Sequence, residues 1–137
     1  MELKKDISTR QDVRHLVDTF YDIIKIDEML GPIFNHLIDE DEWEPHLEKL
    51  TDFWESQLFA IPKFKGNPVR AHRNVDAIFE YKIDQTHFAK WLQLWFATVN
   101  ALFQGEKAEF AKQRARNMAT GQFLKMWEAR PEQLHKH

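Results

Sequence analysis

With 137 residues the chain has the length of one domain, placed here over 1–137 with a core of about 9–128, and it can bury a sizeable interior. Its 43% hydrophobic and 30% charged residues exclude a disordered or fibrous chain, and a net charge of -3 argues against nucleic acid as the main partner. The absence of cysteine removes disulfides, thiolate metal ligands, a Cys nucleophile and covalent C-x-x-C-H cofactor attachment.

The first residues, MELKKDIST, carry no apolar signal core. No stretch approaches the ~18 apolar residues of a membrane span, so the expectation is a cytoplasmic protein without a membrane partner. Ser8 followed by Gln11 has the spacing of a capping box. Val13, Leu16, Val17, Phe20, Ile23 and Ile24 then recur at helical spacing, which predicts an amphipathic helix over roughly 9–26 with Tyr21 beside its stripe. Gly31-Pro32 breaks that pattern, and Ile33-Phe34 is expected to form a short turn that drops Phe34 inward.

The acidic run Asp39, Glu40, Asp41 and Glu42 suits the positive end of a helix, and Pro45 is tolerated only in a first turn. From there Trp43, His46, Leu47, Leu50, Phe53, Trp54 and Leu58 make one apolar face as far as about Phe59, with His46 its one polar member. Pro62 closes the segment and Lys63 to Gly66 is loop. Asn67 and Pro68 then open a short helix carrying His72, flanked three residues to either side by Val69 and Val75. Asp76 to Gln85 shows no clear period.

Asp84 or Thr86 is a candidate cap for a helix over about 86–103, expected to be the most buried of the molecule. Its apolar residues are Phe88, Trp91, Leu92, Trp95, Val99, Leu102 and Phe103. Gly105 ends it. A last helix, about 106–128, places Phe110, Ala115, Met118, Ala119, Gln122 and Met126 on one side before Pro131. No alternation of period two appears, so the fold class is all-α.

Four long helices joined by short links would read as a plain bundle. Two features resist that reading. One is the short His72 segment, where a neutral imidazole could bind iron. The other is a set of hydrogen-bonding groups on apolar faces, Tyr21, His46 and Trp91, which need partners when buried. Three donors from three helices, converging on one void, make better sense around a bound diatomic molecule than inside a core. Eleven Phe and five Trp would also wall a flat ligand well.

The arrangement resembles a globin, and specifically the group III truncated haemoglobins. The matching residues are Phe20-Tyr21, Leu30-Gly31-Pro32-Ile33-Phe34, Trp43-x-x-His46, Phe53-Trp54, the segment from Pro68 to His72, His87-Phe88-x-x-Trp91-Leu92, and Gln113-Arg114-Ala115. They cover about 9–126, and the glycine pairs that mark the other truncated groups are absent. The stretch between His72 and Trp91 departs from the family pattern in being longer and in lacking a proline-rich turn.

The resemblance implies a truncated globin fold, a two-over-two helical sandwich around haem b. His72 would be the proximal iron ligand, and Tyr21, His46 and Trp91 would form the distal side. Phe34, Leu50, Phe53, Trp54 and Met118 would line the macrocycle, and Lys49, Arg70 and Arg73 are candidates for its propionates. Tyr21 O–H and Trp91 Nε1–H are assigned as the main donors to the bound gas, with His46 a further donor or a gate. Of the remaining histidines, His36 and His87 are rivals to His72, whereas His15, His135 and His137 read as surface or tail residues.

The implied function is reversible binding of O2 and other diatomic ligands, with slow release. The ligands in question are O2, NO, CO, cyanide or peroxide. An alternative is NO dioxygenation or a peroxidase-like reaction; no G-x-G-x-x-G motif is present, so electrons would come from a separate reductase. A third reading, an interaction module without haem, predicts a colourless protein.

Overall fold

A computed structural model describes residues 3–60 and 85–128, the side chains of 123–128 excepted. Helix α1 spans Arg10–Ile26 and starts from a capping box built one residue later than the Ser8–Gln11 spacing suggested. Thr9 Oγ1 accepts from Asp12 N at 3.1 Å, and the Asp12 carboxylate accepts in return from Thr9 N at 3.1 Å. The same carboxylate also takes Ser8 N at 2.9 Å and Lys5 Nζ at 2.8 Å. A short anionic acceptor can hold several donors at once, which the single amide carbonyl of Gln11 does less well.

Asp27 ends α1, its N–H donating to the Ile24 carbonyl, and its Oδ2 accepts from Met29 N and Leu30 N to turn the chain. The next element is a helix rather than a turn: α2, Gly31–Leu37, with Pro32 in the first turn where a missing N–H goes unnoticed. Gly31 has to be small, because a Cβ there would lie 2.7 Å from the Lys25 carbonyl oxygen. A 3-10 turn over Glu40–Glu42 leads into α3, Trp43–Phe59, with Pro45 in its first turn as expected. Helix α4 spans Gln85–Leu102 and α5 Glu106–Glu128. Asp84, Pro62, the loop 63–66 and the His72 segment lie outside the described residues.

Among the described residues, two pairs of long helices form the core. Helix α1 packs on α3, α4 packs on α5, and contacts of α1 with α4 and of α3 with α5 join the pairs. The core is that junction. Helix α1 buries Val13, Leu16, Val17, Phe20, Tyr21 and Ile24, whereas α4 buries Trp95, Thr98 and Val99. Among the described residues α1, not the 86–103 helix, is therefore the more buried, because α2, α3 and α4 all lie against it.

Helix α5 meets the core through Ala108, Ala111, Ala115 and Ala119, small residues that let it approach closely. Trp95 fills the space opposite, stacked on Trp54 at 4.6 Å with its Nε1–H donated to the Ala111 carbonyl at 3.1 Å. Phe110, expected on the inner side, is instead 45% exposed.

Polar contacts fix the helices in register. Arg10 donates to Asp52 at 2.8 Å, Glu55 at 3.0 Å and Glu48 at 2.6 Å. Arg14 reaches Glu48, Glu44 and Asp18, each at 2.7 Å. At the other side Lys107 Nζ donates to the Leu58 carbonyl at 2.8 Å, satisfying an acceptor in the last turn of α3. Asp6 caps α5 by accepting from Lys107 N and Ala108 N, both at 2.9 Å. No described helix is long and apolar enough to cross a membrane.

Candidate functional site

The inward stripe of α1 carries Phe20 and Tyr21 side by side, so both rings enter the junction of the two pairs. Phe20 is the hub: its ring meets Tyr21 at 4.8 Å, Trp95 at 5.0 Å and Trp91 at 5.3 Å, all edge to face. That geometry is the favourable one for aromatic quadrupoles. Tyr21 is 6% exposed, and its ring also touches Phe34 of α2 at 5.8 Å and His46 of α3 at 6.1 Å. Burial pushes its phenol up to about 12, while hydrogen bonding with Trp91 works in the opposite direction. The phenol therefore remains protonated at physiological pH and able to donate.

Trp91 Nε1–H is directed to the Tyr21 phenol, because indole nitrogen can only donate. Trp91 thus supports Tyr21, a coupling between two groups that the sequence suggested only as parallel donors. With its oxygen so occupied, the phenol keeps its own O–H for another acceptor.

His46 belongs to the first turn of α3 and is half-buried. Burial first, and then the nearby Lys49 ammonium, lower its pKa, so the imidazole is held neutral. A cleft of about 410 Å³ opens beside it, lined by Leu37, Ile38, Asp41, Glu42, Pro45 and Lys49 as well as His46. It runs between the end of α2 and the start of α3. Lys49 is exposed at its rim.

Tyr21, His46 and Trp91 are thus brought together from α1, α3 and α4. Phe34, Leu50 and Met118 are half-buried and packed on the core, and Phe53 and Trp54 lie within it. Arg70, His72 and Arg73 lie outside the described residues. Of the rival histidines, His36 is exposed and His87 half-buried.

Trp43, which the sequence offered only as part of the Trp43-x-x-His46 motif and of an apolar face, joins these residues. Trp43 sits 5.8 Å from His46 and 6.1 Å from Tyr21. Its position three residues before His46, on the same helical face, was the available signal.

No family model matches the chain. It is 28% identical over 120 residues to the group 3 truncated hemoglobin ctb of Campylobacter jejuni, covering 86% of this chain and 91% of the relative. The crystal structure of the group III truncated hemoglobin from Campylobacter jejuni superposes with a TM-score of 0.81 at 25% identity, over 95% of this chain and 100% of that one. The two helix pairs are thus the truncated globin fold. By fold, by shared sequence over most of its length and by the motifs that place Tyr21, His46 and Trp91 on three helices, the chain is similar to the group III truncated haemoglobins.

Proposed function

We propose that this chain, as one truncated-globin unit, holds haem b and binds O2 reversibly with slow release, accepting other diatomic ligands at the same place. The observation that carries the reading is the meeting of a neutral phenol, an indole N–H and a neutral imidazole in one aromatic enclosure. That donor set fits a ligand that gains negative charge on binding. It offers protons for hydrogen bonds.

Haem iron would supply the bond to the gas, and His72 would be the residue that holds the iron. Tyr21 O–H then donates to the bound ligand while Trp91 keeps the phenol oriented. In a dry enclosure such a bond is stronger than in water. His46, neutral and at the cleft, adds a second donor. Phe34, Leu50, Phe53, Trp54 and Met118 would exclude water around the macrocycle, and Lys49, Arg70 and Arg73 would meet its carboxylates. A separate reductase would keep the iron ferrous.

The test is a visible spectrum of the purified wild type beside His72→Ala, ferrous and under CO. The expected result is a strong Soret band in the wild type, with ferrous features that change or vanish in the variant. Unchanged features would place the iron ligand elsewhere. A wild type that is colourless and takes up no added haem would overturn the reading in favour of an interaction module.

A further inference from the structure

Trp43 opens α3 and is only 7% exposed, although it stands at the outer end of the site. The Lys25 ammonium, from the last turn of α1, lies 4.3 Å from the centroid of its ring. The indole meets His46 at 5.8 Å and 82°, and Tyr21 at 6.1 Å and 51°. Helical spacing explains the cluster. Tyr21 and Lys25 are four residues apart on one face of α1, and Trp43 and His46 three apart on one face of α3. The indole is a wedge between the two faces, in contact with the cation and with both donors.

The turn that bears Lys25 is itself held. Asn35 Nδ2 donates to the Lys25 carbonyl at 2.9 Å, and Gly31 packs so closely on that oxygen that no side chain would fit between them. The ammonium is therefore presented from a fixed base, and its attraction to the ring quadrupole fixes the indole in turn.

We propose that Trp43, braced by Lys25, is the positioning residue that sets the orientation of the His46 imidazole and the Tyr21 phenol. The strength with which the site holds its gas is then governed in part by a cation outside the pocket. This rests on the haem reading for its functional consequence, but not for its geometry. An edge-to-face partner limits the imidazole to a narrow range of rotation. Without the cation the indole can turn, and both donors lose their stop.

Full-length Lys25→Met keeps the aliphatic stem and removes the charge, and Lys25→Arg restores a cation that stacks well on indole. Two readouts are taken: the NMR signals of the His46 ring, and the O2 release rate of the ferrous protein. Lys25→Met is expected to shift or broaden the His46 signals and to speed release roughly threefold or more. Lys25→Arg is expected to stay close to wild type in both, while urea melting of the two variants remains similar. Unchanged His46 signals in Lys25→Met, or equal effects in the two variants, would overturn the proposal. Failure of the haem reading looks different: no release rate exists to measure, yet the His46 signals still decide whether the brace operates.

Discussion

Among the described glycines, Gly105 is the one whose positive φ makes replacement most strained. Its φ of 139 belongs to a region open essentially to glycine, and a Cβ would come within 2.6 Å of Asp6 Cγ. Asp6 is also the cap of α5, so the clash would push away the acceptor that holds Lys107 N and Ala108 N. Gly105→Ala is expected to lower stability by about 2–3 kcal/mol in urea unfolding, strain and a lost cap together.

Asp12 makes the corresponding prediction for acid. Burial works against its charge, but the Lys5 ammonium and the donors of Ser8 and Thr9 prevail and hold it at about 2. A carboxylate depressed in the folded state adds stability above its ordinary 3.8, and that contribution fades as pH falls through about 2. Asp12→Asn should therefore flatten the acid limb of the stability curve across that window, measured by urea unfolding at a series of pH values. An unaltered acid limb would contradict this assignment.

Between helices, the Arg10 and Arg14 clasp has the largest expected effect. Glu55 is 5% exposed, and Arg10 shares its guanidinium among Glu55, Asp52 and Glu48. Removing the cation leaves carboxylates crowded on one edge of α3. Arg10→Met is expected to cost about 1–3 kcal/mol in thermal or urea unfolding, and Glu55→Gln in the same chain should recover part of it. Strict additivity of the two substitutions would show that the pair is not coupled.

This clasp is invisible in the sequence, and the reason is general. Periodicity within a helix shows which face is apolar but not which helix will lie against it. The same gap explains why α4 was expected to be the most buried: its apolar residues are many, but among the described residues α2, α3 and α4 all pack on α1. It also explains Phe110, whose place near an alanine face on the helical wheel did not reveal that Ala108 and Ala111 would make the contact instead. Helix positions themselves were legible, because caps, prolines and spacing are local. The turn at Gly31-Pro32 was misjudged since proline stops a helix in its interior yet starts one readily.

At the scale of the whole molecule, two helix pairs cross so that an aromatic enclosure forms where α1, α3 and α4 meet. What the sequence offered was the oddity of Tyr21, His46 and Trp91 as polar groups on apolar faces, and the structure brings the three together. How they contact one another was not legible. Trp91 turns its N–H on Tyr21, and Trp43 stands as a wedge behind His46. Both facts depend on distances between helices that spacing within a helix does not encode.

On the proposed reading the Tyr21 O–H donates a hydrogen bond to the bound gas. The direct measurement is stopped-flow O2 release from the ferrous wild type and from Tyr21→Phe, which keeps the ring and removes the donor. A hydrogen bond to a charge-bearing ligand contributes about 1.5–3 kcal/mol, so release from Tyr21→Phe should be roughly 10- to 100-fold faster. Equal rates in the two proteins would contradict the account.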